Sequence, residues 1–105
     1  MPNEKIALTE AVYYILLSLY SPLHGYGIMQ KVAELSTGRV NLAAGTLYGA
    51  LNTLLEKGWI AALPDGQNSR QKRYEITAQG REMAAKELLR LRELLTNGEK
   101  IIERG

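Results

Sequence analysis

The side chains able to do covalent or metal chemistry are few. His24 is the only histidine and cysteine is absent. Thiolate metal sites, disulfides and cysteine nucleophiles are therefore excluded, and a His-rich zinc site or a Ser-His-Asp arrangement has no material to be built from. The carboxylates fall in mixed-charge patterns without a paired site, so no enzyme and no cofactor is expected. What remains is contact chemistry. Arg70-Gln71-Lys72-Arg73 concentrates positive charge, and Tyr26 and Tyr48 each carry a phenol near the start of an apolar-periodic segment. Gly45, Thr46, Gly49, Asn52 and Thr53 form a small, polar set at helical spacing. Cations, phenols and helix starts suit phosphate oxygens, and small polar side chains suit the edges of bases. Each group also has a plainer explanation as solvated surface or half-buried packing. Solvated helix faces are usually rich in Lys and Glu, however, and this face, which also takes in Glu56, is otherwise made of small polar residues.

The 105 residues are enough for one compact domain with an appended helix. Hydrophobic residues make up 46% and charged residues 23%, ordinary globular proportions that argue against a disordered chain. The formal charge of +2 permits a nucleic-acid partner without demanding one. Charges cancel over residues 1–64, and only the stretch around Arg70 to Arg73 clusters a local surplus. No apolar run approaches a membrane-spanning length, and the start Met1-Pro2-Asn3-Glu4-Lys5 lacks the order of a signal peptide. A cytoplasmic protein without a membrane partner is the expectation.

The elements that must position these residues can be read from periodicity and punctuation. Thr9 is suited to cap a helix running to about Tyr20, with Val12, Ile15, Leu16 and Leu19 on one face. Ser21-Pro22-Leu23-His24-Gly25 reads as a turn, with His24 a turn and packing residue. A second helix is predicted over Tyr26 to Ser36, closed by Thr37-Gly38, and a third over Ala44 to Lys57, ended by Gly58. Three short helices, the last with a polar outward face, suggest a helix-turn-helix core. The period then changes: Trp59 to Leu63 and Lys72 to Thr77 read as two strands around the turn formers Pro64 to Ser69. Thr77 is suited to cap a long final helix from Ala78 toward Ile102. Ala84, Leu88, Leu91 and Leu95 follow alternating spacings of four and three, a seam that calls for a partner; it is broken at Gly98 and resumes at Ile102, with Asn97-Gly98 a point of fraying or kinking. The predicted class is mainly α: a winged helix-turn-helix with a two-stranded β wing over residues 1–77, and a long C-terminal dimerisation helix over residues 78–105.

Four pieces in order strengthen this assignment: His24-Gly25-Tyr26-Gly27-Ile28, Gly45-Thr46-Leu47-Tyr48, Leu51-x-x-Leu54-x-x-x-Gly58-x-Ile60, and Lys72-Arg73-Tyr74-x-Ile76-Thr77-x-x-Gly80-Arg81. Together, over about residues 7 to 95, the chain resembles the PadR family of bacterial transcriptional regulators, in its short form with one helix after the wing. The resemblance implies a winged helix, dimerisation through the last helix and repression of a nearby promoter. Some short members bind aromatic or drug-like effectors between protomers. Trp59 departs from the smaller aliphatic residue usual in the family, and the last helix has no tryptophan.

The expected function is that of a homodimeric repressor on double-stranded operator DNA with an inverted repeat. Tyr26, Gly45, Thr46, Tyr48, Gly49, Asn52, Thr53, Arg70, Lys72 and Arg73 are its candidate contacts, with the third helix in the major groove and the wing on the backbone. Tyr13, Tyr14 and Met83 are candidates to line an effector pocket, against the alternative that they are simply core. The competing function is a winged-helix interaction adaptor that does not bind DNA.

Overall fold

The computed structural model describes residues 7–64 and 72–104. Helix α1 (Glu10–Ser18) is capped by the Thr9 hydroxyl, which accepts from the Val12 N–H at 3.1 Å. It stops two residues short of the predicted Tyr20 because its end is drawn into other bonds. The Leu19 and Tyr20 N–H groups donate three residues back, and the Leu19 carbonyl accepts from Ile76 N–H at 2.8 Å. The turn predicted after it contains a strand instead: β1 (Leu23–His24) is two residues long and half-buried. Too short to show a period, it forms because it meets a partner distant in sequence, Leu23 opposite Tyr74 and His24 opposite Arg73. The sheet therefore has three strands rather than two.

Helix α2 (Gly25–Leu35) starts directly on β1, with His24 as its N-cap residue. Its exit bends through Thr37 (φ 54°) and Gly38 (φ 80°), and the Gly38 N–H donates to Ala33 O at 2.8 Å. Helix α3 (Ala44–Lys57) has the predicted bounds and ends on Gly58 at φ 77°. Strands β2 (Ile60–Leu63) and β3 (Arg73–Ile76) are antiparallel, with Ile60 opposite Ile76 and Leu63 opposite Arg73, and β3 is the middle strand.

Ile15, Leu16 and Leu19 of α1 and its exit meet Ile28 and Val32 of α2, Leu47, Leu51 and Leu54 of α3, and Trp59, Ile60, Tyr74 and Ile76. One core thus fixes α3 by a single face and leaves its opposite face to solvent. Helix α4 (Ala78–Ile102) begins at Thr77, whose hydroxyl accepts from Gly80 N–H at 3.0 Å and donates to Gly58 O at 2.7 Å. The first half of α4 lies on the body, burying Gly80, Ala84 and Glu87. Beyond it the helix runs on without the break anticipated at Gly98, leaving Leu94, Leu95, Ile101 and Ile102 exposed. Ala84, assigned by spacing to the intermolecular seam, is buried on its own chain at 3% exposure. Leu88, Leu95 and Ile102 stay exposed, and Leu91 is half-buried.

Candidate nucleic-acid interface

The outward face of α3 brings Gly45, Thr46, Gly49, Asn52 and Thr53 together, all of them exposed. A Cβ added to Gly45 or Gly49 would meet nothing within 4 Å. Neither glycine has a positive φ, so neither packing nor backbone conformation in this chain requires one. The Thr53 hydroxyl donates back to Gly49 O at 3.2 Å. Its lone pairs stay available, and Asn52 presents both a donor and an acceptor. No charged side chain interrupts this face until Glu56 and Lys57. The Lys57 ammonium lies over the Trp59 ring, 5.3 Å from its centroid.

Tyr26 and Tyr48 flank that face differently. Tyr26, in the first turn of α2, is 68% exposed, and its hydroxyl accepts from Gln30 Nε2 at 3.3 Å, which leaves its proton to donate elsewhere. Tyr48 leaves the first turns of α3 and folds back onto α2, where its hydroxyl end rests against Gly25. On the wing, Lys72 is exposed beside β3, and Arg73 lies within β3, the return strand expected for it, half-buried between His24 and Leu63. Arg70 lies outside the described residues.

The predicted effector lining is divided by the structure. Tyr13 and Tyr14, with ring centroids 6.4 Å apart, border an open cavity of about 390 Å³ between the start of α1 and the middle of α4. Burial, and then the nearby Glu87 carboxylate, push the Tyr13 phenol above its ordinary pKa. Met83 is not in that wall; it packs against the main core, as helical spacing of apolar residues also allowed.

Glu87 is not distinguishable in sequence from the mixed-charge surface of α4. It is 4% exposed and holds Arg90 by two hydrogen bonds, 2.9 Å to Nε and 2.6 Å to Nη2, while also accepting from Leu8 N–H at 3.3 Å. The carboxyl is held below its ordinary pKa by Arg90 foremost, assisted by Leu8 and opposed by burial. A carboxylate whose pKa is lowered on folding stabilises the fold above its unfolded pKa and loses that contribution as pH falls through the folded value. Glu87→Gln is therefore expected to lower stability by about 1–3 kcal/mol at neutral pH. That deficit should close on acidification below the ordinary carboxylate range, as followed by thermal melts at both pH values. Glu10, on the wall of the same cavity, forms a further ion pair with Arg39.

Among the described residues, no group of His, Asp and Glu is arranged to hold a metal ion, and no helix is long and apolar enough to cross a membrane. Comparison with curated proteins finds no match. Solved structures are more informative. A PadR family transcriptional regulator from Eggerthella lenta superposes with a TM-score of 0.76 at 24% identity, covering 90% of this chain and 82% of that one. A PadR family regulator from Clostridium difficile gives 0.69 at 22% identity, over 87% of this chain and 97% of the other. PadR of Bacillus subtilis, solved in complex with operator DNA, gives 0.63 at 25% identity over 73% of this chain and 45% of that one. The model of the transcriptional regulator PadR-like family matches residues 14–86, from α1 through the sheet and into the part of α4 that packs on the body. With that much of the chain matched, and with a winged helix around it, the protein belongs to the PadR-like family of transcriptional regulators.

Proposed function

We propose that the protein is a cytoplasmic, sequence-specific DNA-binding repressor that grips an inverted-repeat operator as a homodimer. Residues 1–77 read the duplex, and residues 78–105 join two protomers through the exposed Leu88, Leu95 and Ile102 of α4, with the half-buried Leu91 between them. The observation that carries this proposal is the outward face of α3. Glycine in a helix interior costs roughly 0.5–1 kcal/mol relative to alanine, and a Cβ at Gly49 would meet nothing within 4 Å, so packing does not account for it. A surface that must come close to base edges supplies the missing reason. The operator complex of Bacillus subtilis PadR supports the same reading.

In this arrangement Asn52 pairs with an adenine edge, Thr46 and Thr53 meet bases, and Tyr26 and Tyr48 donate to phosphates. The face carries no arginine, so bidentate guanine recognition is weak and each half-site is modest; the dimer supplies the remainder. An aromatic or drug-like compound entering beside Tyr13 and Tyr14 releases DNA only if it favours one spacing of the two reading heads over the other.

The test is fluorescence anisotropy with a labelled duplex of the protein's own upstream DNA, in the presence of random competitor and candidate aromatic compounds, with sedimentation alongside. Selective binding by a dimer is the expected result. Solitary molecules without duplex preference would favour an interaction adaptor. Neutralising Arg70, Lys72 and Arg73 together should flatten the dependence of log affinity on log salt, by about 0.9 for every phosphate that the wing no longer neutralises. An unchanged slope would mean that the wing stays off the backbone.

A further inference from the structure

Gly25 is the first residue of α2, and a Cβ added there would stand 2.9 Å from Cζ of Tyr48 and closer still to its hydroxyl. Its φ is not positive, so the backbone at this position suits any residue. What demands glycine is room for an α3 side chain to lie on the backbone of α2. Tyr48 also reaches toward β3. The buried Tyr74 phenol is raised in pKa by burial first and by the neighbouring Tyr48 second, and Tyr74 pairs with Leu23, two residues before Gly25. Tyr48 thus occupies the junction of α2, α3 and the sheet while 43% of its surface remains exposed.

We propose that Gly25 is a positioning residue for DNA binding, seating the Tyr48 hydroxyl at this junction so that it meets a backbone phosphate in register with the exposed face of α3. The role rests on the DNA-binding function proposed above. A methyl group at position 25 forces the phenol into another rotamer or tilts α2 away from α3, and either change moves the hydroxyl relative to Gly49 and Asn52.

The experiment compares the full-length wild type, Gly25→Ala, Tyr48→Leu and the double variant. Each binds a fluorescein-labelled random-sequence duplex at low salt, where phosphate contacts dominate, and each is also melted without DNA. Gly25→Ala and Tyr48→Leu should each weaken binding about tenfold, the scale of one hydrogen bond to a charged group. The double variant should bind as Tyr48→Leu does and melt near it, since shortening the side chain removes the obstacle. A folded Gly25→Ala that binds like wild type would overturn the proposal, and so would a double variant whose binding falls by the product of both effects. If Gly25→Ala alone does not fold, the comparison of the double variant with Tyr48→Leu decides by the same criterion. A wild type that binds no duplex would instead overturn the DNA-binding function itself, and the positioning role with it.

Discussion

Gly80→Ala is expected to lower stability by about 3 kcal/mol or more, at the upper end of overpacking effects. An added Cβ would stand 2.7 Å from Ile76 Cγ1 and 3.0 Å from the carbonyl carbon of Trp59, and closer still to the Trp59 oxygen. The obstacle is main chain, which has no rotamer to change. The same oxygen accepts from Thr77 N–H at 3.0 Å, so moving it breaks the link between the strand following α3 and the cap of α4. A fall in Tm of roughly 10–20 °C is the measurable consequence for a domain of this size. A melt unchanged from wild type would mean that α4 does not rest on the sheet as described.

Gly49→Leu should act in opposite directions on stability and on binding. Leucine is the better helix former by about 0.5–1 kcal/mol, and the space around Gly49 is open, so the free protein should melt higher. If α3 enters the major groove, the branched side chain holds the helix off the bases and selective affinity should drop about 100-fold, the scale of one or two mismatched base pairs. Anisotropy and thermal denaturation on the same preparation separate the two signs. Unaltered binding would remove α3 from the DNA interface.

The helices of this chain are legible because their signals are local. Thr9 and Thr77 cap where a hydroxyl can reach the next turn, Gly58 stops α3, and Leu47, Leu51 and Leu54 line one face. What escapes sequence reading is set by contacts between distant residues. Strand β1 exists only because Tyr74 and Arg73 lie opposite it, and α1 ends early because Ile76 captures a carbonyl from its exit. Gly98 has the composition of a breaker, yet a lone glycine costs too little to interrupt a long helix.

The candidate interface shows the same division. The exposed α3 face follows directly from periodicity. The seat of Tyr48 on Gly25 and the burial of Ala84 depend on how elements pack, whereas the place of Arg73 in the return strand is already given by the alternation of Tyr74 and Ile76. Glu87 is the sharpest case: its pairing with Arg90 at a three-residue spacing looks like any surface ion pair until the chain preceding α1 folds over it.

The unbroken course of α4 has a mechanical corollary. Twenty-five residues in one α-helix make a rod of about 37 Å, and such a rod swings as a whole more readily than it folds in the middle. Its near end bears on the Trp59 carbonyl and shares a hydroxyl with Gly58. A small lateral push near Ile102 would therefore be carried first to the stretch of α4 seated on α1 and then to the carbonyls of Trp59 and Gly58, with no slack at Gly98 to absorb it.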